Sequence, residues 1–174
     1  GMVCHETYKD ENNKWLSPDE VFTDNGKDFF KIKDKKKILV GPSESMSKSK
    51  KNTIDPEIMV ENFGADSVRF FILSDSPPEK DIQWSEQGML ASYKFIQKFW
   101  ILHNEILNVI KKNSSIDKRD ENLEKFLNNT IFKISNNLEK FQYNVIVANM
   151  YETYNYLVKY IKEEVSVISL KENY

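Results

Sequence analysis

Eight consecutive residues, Ser45-Met46-Ser47-Lys48-Ser49-Lys50-Lys51-Asn52, combine side chains suited to one task, the holding of phosphate. Lys48, Lys50 and Lys51 each offer three donors and no acceptor, and the small hydroxyl residues between them leave the backbone free to curl round an anion. An ammonium about 4 Å from a phosphate oxygen gains about 4 kcal/mol at an effective dielectric near about 20, and about 1 kcal/mol in open water. The stretch therefore matters to a nucleotide reaction only where the site is partly dry. By composition alone the same run reads as a solvated loop or linker.

Other reaction centres are not spelled out. There is no Gly-x-x-x-x-Gly-Lys-Ser/Thr phosphate loop, no Gly-x-Gly-x-x-Gly after a strand, no Gly-x-Ser-x-Gly elbow and no His-Glu-x-x-His pair. Cys4 with His5 and His103 cannot assemble the usual zinc spacings, so no metal site is expected. The acid pairs Asp117/Asp120 and Glu163/Glu164 lie in polar stretches and read as surface charge. Asn113-Ser114-Ser115 and Asn128-Asn129-Thr130 match the glycosylation pattern without a secretory context, and read as chance matches.

With 174 residues, 20.5 kDa and 40% hydrophobic content, the chain has enough apolar material for one ordinary domain or two small ones. A single cysteine excludes an internal disulfide. No apolar run approaches the roughly 20 residues that span a bilayer, and the first residues carry no signal-peptide apolar region, so a cytoplasmic protein without membrane partners is expected. Charge is unevenly spread. The formal net charge is −2, yet residues 31–51 alone carry +6, leaving −8 elsewhere. A polyanion would be drawn to one place, although a solvated, charged hairpin accounts equally well for the lysines.

The elements that must position the lysine run are mainly α with a small β region. Short β signals occur at Met2-Val3, Trp15-Leu16, Phe29-Phe30-Lys31-Ile32 and Lys37-Ile38-Leu39-Val40. The last two suggest a hairpin with Lys33-Asp34-Lys35 at its tip, and Asp24-Asn25-Gly26-Lys27 is a turn candidate. Ser17-Pro18-Asp19-Glu20 suits the cap of one helical turn, and Gly41-Pro42 is expected to end the β region. After the loop, Asp55 with Pro56 and Glu57 opens a helix that Gly64 stops. A second runs from about Asp66 to Leu73, burying Val68, Phe70, Phe71 and Leu73 and carrying Arg69. Ser76-Pro77-Pro78 breaks it, Asp81-Ile82-Gln83-Trp84 reads as extended, and Ser85 with Glu86 opens the next helix.

From Ser85 to Lys112 two helical stripes recur. One is Met89, Tyr93, Ile96, Trp100, His103, Leu107 and Ile110; the other is Phe95, Phe99, Leu102, Ile106 and Val109. His103 reads as a packed residue. Lys111 to Asp120 is loop-like and marks a boundary. Leu123, Leu127, Ile131, Ile134, Leu138 and Phe141 mark another helix; Val147, Tyr151, Tyr154, Val158 and Ile161 mark a third. The tyrosines at 151, 154, 156 and 160 read as core and rim rather than as base-stacking platforms. The chain runs out at Val165 to Leu170 with no clear stop. The expected segments are 1–44, an N-terminal β-hairpin segment; 45–84, the loop and two short helices; 85–115, a long connecting helix; and 116–174, a partial antiparallel helical bundle.

Ser45-Met46-Ser47-Lys48-Ser49 resembles the Lys-Met-Ser-Lys-Ser signature of class I aminoacyl-tRNA synthetases. Its surroundings narrow the likeness: Lys50-Lys51-Asn52, Asp55-Pro56, Gly64-Ala65-Asp66-Ser67-Val68-Arg69, Ser76-Pro77-Pro78-Glu79 and Trp84-Ser85-Glu86 resemble the bacterial-type leucyl-tRNA synthetase family. Upstream, Gly1-Met2-Val3, His5-Glu6-Thr7-Tyr8 and Trp15-Leu16-Ser17-Pro18 fit the same family. The resemblance implies a C-terminal part of such an enzyme, running from the signature loop through stem-contact helices (within 45–84) into the anticodon-binding helical domain (116–174).

It implies further that Ser45, Met46, Ser47, Lys48 and Ser49 form an ATP loop, with Lys48 the catalytic, phosphate-facing cation. Lys50, Lys51 and Arg69 become tRNA contacts. ATP with Mg2+, leucine and tRNA(Leu) are the implied ligands of the intact enzyme, and DNA is not one. Ser45 departs from the pattern, because the family has lysine there. The Rossmann core with its His-Ile-Gly-His motif is also missing, so these residues alone are expected neither to aminoacylate nor to hold ATP tightly. Two other readings remain, the same region of another class I synthetase and a stand-alone tRNA- or RNA-binding module.

Overall fold

A computed structural model describes residues 1–112, 118–163 and 165–173. The Asn113-Ser114-Ser115 pattern, Asp117, Glu164 and half of the anticipated Lys111–Asp120 loop lie outside the described residues. The chain is mainly α with a small β region, as its sequence suggests. No described helix is long and apolar enough to cross a membrane.

Strand β1 (Val3–Lys9) is the centre of the main sheet. On one edge it pairs antiparallel with β5 (Leu39–Ser45), from Lys9 opposite Leu39 to Cys4 opposite Ser45. The other edge is shared. Its far half takes β2 (Trp15–Leu16) antiparallel against Tyr8 and Lys9, and its near half takes β6 (Ile82–Gln83) parallel against Val3 and Cys4. That parallel pair ties the start of the β region to the segment that leads into the long helix, some eighty residues on. A small second sheet is the hairpin of β3 (Val21–Thr23) and β4 (Phe29–Lys31). It turns through the expected Asp24–Lys27 segment. Gly26 adopts φ +71, and the Asn25 side-chain oxygen accepts from the Lys27 and Asp28 N–H groups at 2.9 Å.

Two expectations for this region need correction. The Lys37–Val40 run does not continue as the partner of Phe29–Ile32. One bridge, Phe30 to Lys37, survives before the chain swings away to the longer β1. Nor do Gly41 and Pro42 end the β region, for β5 passes through both to Ser45. Between His5 and Thr7 the β1–β5 register shifts, leaving two β5 residues against one on β1. At such a bulge on an edge strand, proline's missing N–H costs little. Ser45 is therefore the last residue of a strand and not the first of the loop.

Helices α1 (Pro56–Phe63) and α2 (Ala65–Ser74) follow the loop, separated by Gly64 at φ +79. On α2, Phe70 and Phe71 are buried, but Val68 is half-buried and Leu73 is 39% exposed, contrary to the expectation for both. Phe70 and Phe71 point into two different clusters, Phe70 against Phe95 and Val147 and Phe71 against Trp84 and Met89, while Val68 only borders the second. Next comes α3 (Glu86–Lys112), whose start is fixed by Ser85: its hydroxyl accepts from Gly88 N–H at 3.1 Å. At about 1.5 Å per residue this helix is about 40 Å long.

Helix α3 links three apolar clusters. Met89 joins Phe71 and Trp84 beside the sheet; Phe95 joins Phe70 and Val147; Leu102 and Ile106 join Leu123, Leu127, Leu157 and Leu170. The second stripe read from the sequence is thus the deeper one. Trp100, on the first, is 64% exposed and stacks on His103.

Helices α4 (Glu121–Glu139) and α5 (Tyr143–Tyr160) form an antiparallel pair. Asp120 caps α4, accepting from the Asn122 and Leu123 N–H groups. Leu123 and Leu127 are buried, but Ile131, Leu138 and Phe141 are exposed, and Phe141 lies past the helix end at φ +54. The tyrosines of α5 are core and rim. Tyr156 stacks on Phe126 at 3.8 Å, Tyr151 lies against Phe95 at 4.0 Å, and Tyr160 is buried. Residues expected to trail off instead close the cluster: Val165, Val167 and Leu170 are buried, the last two on α6 (Val167–Asn173).

Candidate functional site

The lysine run bridges β5 and α1, and both of its ends are anchored in the core. At one end Met46 donates its N–H to the Val3 carbonyl at 3.1 Å, and its side chain packs on the Phe71–Trp84–Met89 cluster. At the other end Ile54 packs on the same cluster, and Asp55 caps α1 by accepting from Glu57 N–H at 2.9 Å. Between these anchors the backbone closes a tight turn. Lys50 N–H donates to the Ser47 carbonyl at 3.2 Å, and Lys51 N–H to the Lys48 carbonyl at 3.3 Å. The hydroxyls of Ser47 and Ser49 share a hydrogen bond of 2.8 Å. To leave the turn, Lys51 adopts φ +56, a left-handed conformation that costs a non-glycine residue about 1–2 kcal/mol.

What holds this turn is a residue that the sequence reading left without a role. Asn52 is completely buried. Its side-chain oxygen accepts from Ser47 N–H at 2.8 Å, and its amide nitrogen donates to the His5 carbonyl at 3.2 Å and to the Glu44 carbonyl at 3.1 Å. The two carbonyls sit next to the bulge between β1 and β5. One amide thus joins three segments, with both donors and its acceptor in use. Each backbone group that its removal leaves buried and unpaired would cost about 1–3 kcal/mol.

The electrostatics divide the loop's lysines. Lys50 is paired with Glu44 of β5, and Lys51 reaches Glu20 at 3.6 Å. The Glu20 carboxyl is held below the usual glutamate range, chiefly by the Ser17 N–H that donates to it, then by the Ser17 hydroxyl and Lys51. Lys48 is exposed and has no carboxylate partner among the described residues. Much of the wider +6 segment is likewise answered locally: Lys31 meets Asp10 at 3.9 Å, Lys36 meets Glu11 at 2.5 Å, and Lys37 meets Asp28 at 2.7 Å. The Lys36 and Lys37 pairs are solvent-accessible, so each is weak and displaceable by a stronger anion, whereas Asp10 is buried.

The sequence-derived candidates therefore fall into distinct positions. Ser45 ends β5, exposed, its Cα opposite Cys4. Met46 is an anchor, Ser47 and Ser49 shape the turn, and Lys48 projects from it unpaired. Lys50 and Lys51 fold back onto acids. Arg69 lies on α2, exposed and paired with Asp66 of its own helix at 3.1 Å. An exposed ammonium on a turn with no neighbouring anion is suited to meeting phosphate oxygens, each contact being short and charge-assisted.

Comparison with known proteins points to one family. Residues 37–85 match the family model described as tRNA synthetases class I (I, L, M and V). Over its whole length the chain is 41% identical to a leucine–tRNA ligase of Rickettsia bellii, of which it covers 20%. It is 40% identical to that of Wolbachia pipientis over 91% of the chain and 19% of the relative. The chain thus spans about a fifth of the length of the curated relatives it matches. Among solved structures it is similar to LeuRS in a crystal structure of the ternary LeuRS-tRNA-LeuAMS complex from Agrobacterium radiobacter. The TM-score is 0.62 and the identity 25%, over 73% of this chain and 17% of that one.

Proposed function

We propose, from the premise that this chain belongs to the leucine–tRNA ligase family, that its loop supplies the phosphate-binding cation of a leucine–tRNA ligase and its helices supply tRNA(Leu) contacts. The observation that carries the proposal is the isolation of Lys48, the one lysine of the turn left open while Lys50 and Lys51 are held by Glu44 and Glu20. In the intact enzyme the leucine carboxylate attacks the α-phosphorus of ATP; the bond to the bridging oxygen breaks, and pyrophosphate leaves with the electron pair. The Lys48 ammonium lies against the phosphate oxygens and stabilises the charge that grows on the leaving group. In a partly dry site one such contact is worth about 4 kcal/mol. Magnesium, which accompanies ATP, would add charge neutralisation; the residues of this loop are donors and cations, fitted to phosphate rather than to metal.

Residues 45–84 then carry the signature loop and stem-contact helices, and residues 116–174 part of the anticodon-binding bundle. The LeuRS relative was solved with tRNA, which supports a tRNA partner here. The loop is half an active site. This chain alone is expected to give no leucine-dependent pyrophosphate exchange, and turnover by the pure chain would overturn that expectation. It is expected to bind inorganic tripolyphosphate in a way that Lys48→Ala weakens, measured by calorimetry at low salt. Affinity for tRNA(Leu) should fall steeply with salt, because each phosphate contact releases a counterion.

A further inference from the structure

We propose that Asn52 is the positioning residue of the phosphate-binding turn, acting through Lys48 and not on the ligand itself. This inference rests on the reading of Lys48 given above. Asn52 is set apart from its neighbours in three ways. It is fully buried beside a run of exposed and half-exposed lysines and serines. Its amide has both of its donors and its acceptor engaged. Its partners are all backbone groups, from β1, from β5 and from the first residue of the turn, so it reads the path of the chain and no particular side chain.

The consequence is geometric. The turn has few internal bonds: two backbone hydrogen bonds longer than 3.1 Å and one between hydroxyls. Without a tether its start could rotate about the anchors at Met46 and Ile54. The Ser47 N–H bond to Asn52 removes that freedom one residue before Lys48. It also fixes the side of the turn on which Lys50 and Lys51 return to Glu44 and Glu20, leaving Lys48 facing outward. Asn52 thus pre-sets which ammonium meets the phosphates, and misplacement of a positioned group by about 1 Å costs up to about a hundredfold in function.

The test is a double-mutant cycle on the whole chain, with tripolyphosphate as the probe. Asn52→Ala and Asn52→Asp should each weaken binding by up to about fivefold, the whole worth of one solvated ammonium contact. The aspartate keeps the acceptor for Ser47 but places a carboxylate against the carbonyls of His5 and Glu44. In a Lys48→Ala background the same changes should have no further effect, a coupling that simple loss of stability would not produce. Equal weakening in both backgrounds, or none in the wild-type background, would sink the assignment. If Lys48→Ala leaves binding unchanged, the parent reading of Lys48 fails instead. Amide hydrogen exchange on the unmodified chain gives a second judgement that needs no folded variant. The Ser47 amide should exchange far more slowly than those of Lys48 and Ser49, and equal rates would overturn the latch.

Discussion

Glu44 and Lys50 form an ion pair across the loop, a carboxylate of β5 holding an ammonium six residues further on. The pair decides how the three closely spaced lysines share an incoming anion. A cation that already has a carboxylate must give it up, or share it, before it can neutralise phosphate.

Removing that carboxylate should therefore strengthen anion binding. Glu44→Gln leaves the shape of β5 intact and frees Lys50, adding up to about 1 kcal/mol per phosphate contact in water, or about fivefold in tripolyphosphate affinity. The gain should shrink at salt concentrations where the Debye length falls to about 3 Å. Calorimetry at two ionic strengths checks both statements, and a loss of affinity would show that the pair helps the site.

Ser45→Lys should act in the same direction. Ser45 is exposed at the end of β5 with its hydroxyl 4.0 Å from Cys4 Sγ, so a long side chain must extend past that sulfur into solvent, and it would restore the lysine that the family pattern places at this position. About fivefold tighter tripolyphosphate binding is expected at low salt, from one more solvated contact. If the new lysine gives nothing, its direction from the strand carries it away from the anion held by Lys48.

The helical half of the fold was readable because its signals are local. Asp55-Pro56 and Ser85 mark helix starts through bonds made within three residues, and the stripes of α3 repeat at helical spacing, whereas Asp120, which reads as surface charge, is in fact the cap of α4. The β half was readable as short strands and one turn but not in its pairing, because pairing is decided at a distance. Pro42 looks like a breaker until β1 supplies a bulge for it. Asn52 looks like one more polar loop residue until its bond to the carbonyl of His5, 47 positions away, is seen. Glu20 and Lys51 hide in the same way. A run of lysines reveals its charge in the sequence, but not which of its members the fold has already neutralised.

Lys51 offers a test of strain. At φ +56 glycine fits without cost, whereas alanine keeps the penalty. Lys51→Gly should be more stable than Lys51→Ala by about 1 kcal/mol in urea unfolding, both having lost the contact with Glu20. Equal stabilities would mean that the turn relaxes out of the left-handed region when the side chain is removed.

The bond between Ser17 and Glu20 makes the 3-10 turn at Pro18–Glu20 sensitive to acid. The Glu20 carboxyl titrates below its ordinary value because its ionised form accepts from Ser17 and faces Lys51. A depressed carboxyl contributes its stability above the ordinary glutamate range and loses it as pH falls through the lower, folded value. The Ser17 amide resonance should therefore shift with a midpoint below that of an exposed glutamate, and Glu20→Gln should abolish the shift. A midpoint at or above the ordinary value would refute the assignment.

Ser169 should prove to be the fastening of the far end of the bundle. It is fully buried; its hydroxyl accepts from the Asp120 N–H at 2.8 Å and donates to Glu124 at 2.9 Å. Arg119 holds the same Glu124 carboxylate at 3.0 Å and reaches Glu172 on α6, so one hydroxyl sits inside a network joining α4 to α6. Ser169→Ala creates almost no cavity but leaves the part-buried Asp120 N–H without its acceptor, which should cost about 1 kcal/mol. Arg119→Ala removes a half-exposed partner whose pairs are screened by solvent, and should cost less. Urea unfolding of the two variants ranks these effects. If Arg119→Ala proved the more damaging, surface charge and not the buried hydroxyl would be what pins α6 against α4.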